Sequence, residues 1–191
     1  MTEPGYRRPP EEIDMERAER SIRKAGLVSM LALAAAVPAG YFLFPAVFDL
    51  PGELPERIAF AAQASVFILF CVVVAIGMVS TGRRFSPADI GGSAARPPSD
   101  RIAINVAFLQ NTLEQAVIAV GLYFALATLV SGPWLSLIPV GVVFFLVGRV
   151  FFLRGYAKGV EGRALGMTLT MTPTVLGYLL VLVLLGVRWF Q

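Results

Sequence analysis

Five apolar runs divide the chain, each set off from the next by a short polar segment: residues 26–48, 58–79, 102–130, 135 to about 156, and 168–190. None alternates polar and apolar positions with the period of two that a barrel strand of about ten residues requires. Each reaches the roughly 20 helical residues that cross a hydrocarbon core about 30 Å thick. The pattern predicts an all-α integral membrane protein with five transmembrane helices, since in lipid a helix satisfies its backbone polar groups internally. Residues 10–24 carry a helical pattern of their own and predict a short surface helix, while residues 1–9 read as disordered.

Composition agrees with that class. The 191 residues are 57% hydrophobic and 15% charged, with a mean hydropathy of +0.73, far from the balance of a soluble domain. Charge then orients the runs. Basic residues fall at alternate ends: Arg7, Arg8, Arg17, Arg20, Arg23 and Lys24 before the first run; Arg83, Arg84, Arg96 and Arg101 after the second; Arg154, Lys158 and Arg163 after the fourth. The opposite ends offer Arg57 and Arg188 alone. The positive-inside rule therefore predicts a cytoplasmic N-terminus and a C-terminus outside, with Trp134, Trp189 and Phe190 in the outer aromatic belt. The N-terminal tail balances its arginines with Glu3, Glu11, Glu12, Asp14, Glu16 and Glu19, so nucleic-acid binding is not expected and membrane-surface contact is. The region before the first run is too long and acidic for a signal peptide, which makes that run a retained helix.

Several chemistries are disfavoured by what is missing. The single cysteine, Cys71, lies inside the second run and permits no intramolecular disulfide. With no histidine and one cysteine, zinc and haem sites are not expected, and no metal is predicted. Neither a nucleophile elbow nor a Walker loop occurs. Gly159, Gly162 and Gly166 lack phosphate-loop spacing and fit a turn or close helix packing.

Two polar groups interrupt the apolar runs. In the third run, Gln110, Asn111, Glu114 and Gln115 stand together, and the i, i+3 and i, i+4 spacings predict that Asn111 and Glu114 share an inward face. In the fourth, Phe145, Arg149, Phe152 and Tyr156 form one helical stripe. An arginine at a bilayer centre costs roughly 2.5 to 3.5 kcal/mol on insertion scales, so Arg149 needs a partner. Its depth matches that of Glu114, and the two are expected to pair directly or through a ligand. The bland reading is a polar network that only fixes helix packing. The functional reading is a pocket with a cationic mouth of Tyr156, Lys158 and Arg163 and a greasy wall of Phe145 and Phe152, suited to an amphiphile or to an anionic cosubstrate beside a lipid.

These residues resemble a family: the membrane-associated proteins in eicosanoid and glutathione metabolism (MAPEG), which include the microsomal glutathione transferases. Asn111-Thr112-Leu113-Glu114 is similar to the family's Asn-x-x-Glu on its second helix. Gly148-Arg149, then Gly155-Tyr156 and Arg163, is similar to the third-helix arginine followed by a tyrosine seven residues on and an arginine seven further. The resemblance covers about residues 58–190. It implies a four-helix transmembrane bundle of MAPEG type plus one additional N-terminal transmembrane helix, organised as a tail at 1–25, the added helix at 26–48 and the family domain at 58–190.

The resemblance further implies a homotrimer with glutathione as cosubstrate, held between subunits near the cytoplasmic face. Arg163 would match the arginine that stabilises the glutathione thiolate, Tyr156 a hydrogen-bond donor, and Asn111, Glu114 and Arg149 further contacts. The reaction implied is thiolate attack on a hydrophobic small molecule arriving from membrane lipid. Three positions depart from the conjugating members: Ala107 stands where they have an arginine, Val117 where they have a proline, and Phe152 where they have a tyrosine. Other members bind lipid or serve as scaffolds without catalysis, so a glutathione transferase and a non-catalytic lipid-binding or scaffold protein are the two readings carried forward.

Overall fold

The computed structural model describes residues 14–190, and among them every regular element is helical. The elements are α1 (Met15–Val47), α2 (Leu54–Arg84), α3 (Asp100–Leu129), a 3-10 turn (Gly132–Ser136), α4 (Leu137–Tyr156) and α5 (Gly159–Trp189). Each of the five α-helices lies in a segment long and apolar enough to cross a membrane. Their ends fall into two sets. The basic end holds the start of α1, the loop from α2 to α3 and the turn from α4 to α5. The far end holds the link from α1 to α2 and the 3-10 turn.

The helices exceed the apolar runs because their first and last turns are polar. The expected separate surface helix is one such case: from Met15 onward it continues without a break into the first apolar run, making a single helix of 33 residues. At 1.5 Å per residue this helix is about 50 Å long, against a hydrocarbon core of about 30 Å, so its first turns stand clear of lipid. Asp14 starts it as an N-cap, its carboxylate accepting from the Arg17 amide at 3.1 Å. The part of that expectation at residues 10–13, and the disorder expected at 1–9, lie outside the described residues.

The main core is formed by α2, α3 and α4, around Ile68, Ala116, Ala119, Leu122, Leu126, Ile138 and Phe145. Lipid tails are as apolar as these side chains, so close packing rather than water exclusion must hold the helices together. The α4–α5 hairpin shows how. A Cβ at Gly155 would collide with the Gly162 carbonyl, and one at Gly166 with the Phe152 amide nitrogen. One at Gly148 would fall 2.7 Å from Thr170 Oγ1. Glycines at 148, 155, 162 and 166 thus bring two backbones into contact along a seam, and Gly159, at φ +75°, turns the chain between them.

The connections are fixed by charge. Arg57, in the first turn of α2, donates to the Val130 carbonyl at 2.7 Å, capping the end of α3, which accounts for the one basic residue near the link from α1 to α2. At the basic end, buried Asp89 accepts from the Ser86 hydroxyl and from the amide and hydroxyl of Ser99 at 2.8 and 2.6 Å. Ser99 is the N-cap of α3, so one carboxylate ties the exit of α2 to the entry of α3. These hydrogen bonds, with Arg96 adding a smaller attraction, hold its pKa down to about 2.

Two outcomes follow. Gly166→Ala should lower the unfolding midpoint in detergent sharply, by about 3 kcal/mol of stability or more, because backbone has to move to admit the methyl group. Gly77→Ala, where an added Cβ meets nothing within 4 Å, should leave it unchanged; equal midpoints for the two variants would dismiss the seam. For Asp89 the folded pKa is depressed, so its contribution is complete above about pH 3.9, the unfolded value, and is lost as pH falls towards about 2. Amide-exchange protection of the loop at residues 85–99 should fall across that window, and Asp89→Asn should show reduced protection at every pH.

Candidate functional site

Arg149 is the centre of the polar network inside the bundle. It sits on the inward stripe of α4 with Phe145 and Phe152, and is 3% exposed. Its guanidinium donates to Asn111 Oδ1 on α3 and to Thr170 Oγ1 on α5, both at 2.6 Å. Phe152 and Phe145 flank it, with ring centroids 4.7 and 5.6 Å from the guanidinium carbon. Thr170 passes its own proton to the Gly166 carbonyl at 2.8 Å, which leaves its lone pairs free to accept. Arginine Nε, although buried, has no partner. Among the described residues no carboxylate pairs with this charge.

The expected pairing of Arg149 with Glu114 is therefore not made within the chain. Asn111 turns inward, but Glu114 is exposed and accepts only from Gln110, one turn earlier, at 3.2 Å. The physical reason is the width of the buried arc. The inward face of α3 runs through Phe108, Thr112, Gln115, Ala119 and Leu122. Asn111 lies at its edge, and the extra 60° of an i, i+3 step carries Glu114 off it onto the face of exposed Leu113 and Val117. Spacing alone groups two residues on one side of a helix, but it does not locate the edge of the buried arc.

Toward the basic end the network opens into a cavity of about 350 Å³. Asn111 from α3, Phe152 and Tyr156 from α4, and Arg163, Met167 and Thr168 from α5 line it, and Ile22 of α1 closes one side. Arg163 stacks on Tyr156, its guanidinium carbon 4.8 Å from the ring centroid. It makes no hydrogen bond or ion pair with any described residue, so its donors remain available. Tyr156 in turn meets Phe152 edge-on at 5.4 Å. The structure thus brings Asn111, Arg149, Tyr156 and Arg163 to one place and leaves Glu114 outside it. Lys158, expected at the mouth, is exposed at the N-cap of α5 and does not line the cavity.

Sequence reasoning missed Thr170, the second partner of Arg149, and the contribution of Ile22. Thr170 had a legible signal: Thr168, Thr170, Thr172 and Thr174 alternate within an otherwise apolar helix, a concentration of hydroxyls in lipid that calls for an explanation. Ile22 had none, because its position depends on how α1 packs. That packing is pinned by Ser29, whose hydroxyl donates to the Thr168 carbonyl at 3.0 Å, and by an Arg17–Glu161 ion pair at 3.1 Å.

A cavity lined by the Arg163 guanidinium and the Asn111 amide, with no carboxylate among its described lining residues, has the chemistry to suit an anion. Its volume lies within the roughly 300–1,000 Å³ of small-molecule sites, and its wall is mostly aromatic and aliphatic. Among the described residues no three His, Cys, Asp or Glu side chains converge as metal ligands would. No match was found among curated proteins or among solved structures. The model of the MAPEG family matches residues 58–183, which are α2 to α5 without their outermost turns and leave α1 outside. With two-thirds of its length matched, this all-helical membrane chain belongs to the MAPEG family.

Proposed function

We propose that this protein binds glutathione at the Asn111–Tyr156–Arg163 cavity and joins it, through attack of its thiolate, to a hydrophobic electrophile that enters from the membrane. The observation that carries the reading is the convergence of an uncommitted Arg163 with Asn111 and Tyr156 beside a buried, acid-free Arg149. Glutathione carries net negative charge and several acceptor oxygens, which suit a site of donors without acids. When bound it supplies a thiol. That thiol has an ordinary pKa of about 8.5, and a guanidinium in a partly dry site can lower it by about two units for about 2.7 kcal/mol of differential stabilisation. Arg163 takes that role, Tyr156 donates a hydrogen bond, and Asn111, positioned from behind by Arg149, offers its amide N–H to a carboxylate or peptide oxygen. The aromatic wall of Phe152 receives the electrophile.

Glu114 enters the reading through assembly. A charged residue exposed on the apolar face of α3 needs a polar neighbour from outside the chain. A homotrimer with the ligand at subunit boundaries would supply one, and would bring Glu114 to the ligand of an adjacent subunit. The basic end faces the cytoplasm in this reading, with the N-terminus there and the C-terminus outside, as the distribution of arginines requires.

The second reading, lipid binding or scaffolding without catalysis, is favoured by Ala107, Val117 and Phe152 and by the closeness of Ile22 to the cavity. One experiment separates the two. Purified full-length protein, heated in detergent against a glutathione series, should melt later as ligand is added, by about 2.7 kcal/mol of stability at a hundredfold excess over the dissociation constant. Arg163→Ala should weaken that shift and move the pH–rate profile of conjugation upward by about two units, leaving roughly 25-fold less thiolate at pH 7. No shift up to millimolar glutathione would replace the transferase reading with the second one.

A further inference from the structure

The family match leaves α1 unexplained, and α1 bounds a second space. It packs on α4, α5 and the 3-10 turn, fixed at the basic end by Arg17–Glu161 and Ser29–Thr168. At the far end Gly40 lies against Val140, and Tyr41 meets Trp134 edge-on at 4.8 Å. Between these anchors α1 stands off the bundle, leaving a cavity of about 390 Å³. This space and the glutathione candidate site share no lining residue, so the two are separate. Met30 and Leu176 at the rim are exposed, which opens the cavity sideways to lipid.

Two features give this space a chemistry. Its walls are apolar, and no charged residue lines it. Yet Tyr123, only 3% exposed, turns its hydroxyl to the wall beside Gly141, where an added Cβ would fall 2.9 Å from that oxygen, and the hydroxyl makes no hydrogen bond with any described residue. An unsatisfied hydroxyl in hydrocarbon is costly unless a ligand completes it. Pro38 of α1 and Pro173 of α5 face the same space. Proline has no N–H, so Pro38 leaves the carbonyl of Ala34, another lining residue, without its helical partner. Left empty, such a space would forfeit dispersion contacts on every side.

We infer that α1 and the family bundle together form an intramembrane site for a neutral long-chain lipid bearing one carbonyl or hydroxyl oxygen, which accepts from Tyr123. The absence of charge excludes a fatty-acid anion or a phospholipid headgroup from the cavity itself. Removing α1 would remove one wall, so the site exists only where the added helix meets the part matched by the family.

The chain carries two tryptophans, Trp134 in the cavity wall and Trp189 at the exposed end of α5, so Trp189→Phe leaves a single fluorescent reporter. Full-length Trp189→Phe protein in detergent is titrated with dibrominated stearyl alcohol, whose bromines quench tryptophan on contact. Quenching should saturate and be reversed by unlabelled stearyl alcohol. Tyr123→Phe should weaken binding by about three- to tenfold, the value of one neutral hydrogen bond. Ala34→Phe, or Val37→Phe if the first variant does not fold, should fill the space and abolish the saturable component. Quenching that rises linearly and equally in the filled variants would overturn the site. Saturation that is unchanged in Tyr123→Phe and equal for dibrominated octadecane would overturn the oxygen-bearing ligand class.

Discussion

The burial of one guanidinium is the constraint on which the rest of this bundle depends. Arg149 is buried and no carboxylate among the described residues neutralises it, so its charge must be met by polar atoms and aromatic faces held at fixed places. Asn111 comes from α3, Thr170 from α5, and Phe145 and Phe152 from α4 itself. Sliding any of these helices by one residue would break a contact at 2.6 Å. The polar network therefore sets the register of three helices that apolar packing alone would leave free to slip, because in lipid one leucine contact is much like another.

That register has a cost in backbone proximity. Thr170 reaches Arg149 only because α4 and α5 approach closely enough for Gly148 to lie against the threonine hydroxyl, and a side chain at Gly155 or Gly166 would force the hairpin apart. The same approach sets Arg163 over Tyr156 about two turns nearer the basic end. A glycine seam, a buried charge and an open cationic mouth are thus successive levels of one hairpin. Changing the seam would be felt at the cavity, although no glycine of the seam lines it.

The five helices were legible in the sequence because length and continuous apolarity leave lipid-embedded chain few alternatives. The glycine run at 159–166 was legible too, as a turn and close packing. What resisted reading was angular: Asn111 and Glu114 are three residues apart, yet one lies just inside the buried arc and the other outside it. Helical spacing fixes the angle between two side chains but not the direction of the bundle axis, which only the neighbouring helices define. The extent of α1 was misjudged for a related reason. Charge marked its first turns as a surface segment, whereas nothing at Lys24–Ala25 interrupts helical hydrogen bonding, so the helix runs on into lipid.

The added helix changes what the bundle can hold. Through Ile22 it narrows the cationic cavity near the basic end, and through Pro38 it bounds an apolar one nearer the far end. Both effects depend on a few anchors, since most of α1 faces outward and contributes little buried surface. An ion pair at its polar start, whose partners are both largely exposed, adds at most about 1 kcal/mol, less in salt. The Ser29 hydroxyl, fully buried against the Thr168 carbonyl, is the firmer attachment. Because Thr168 also lines the cationic cavity, the residue that fastens α1 to the bundle is the one through which a movement of α1 would reach the site.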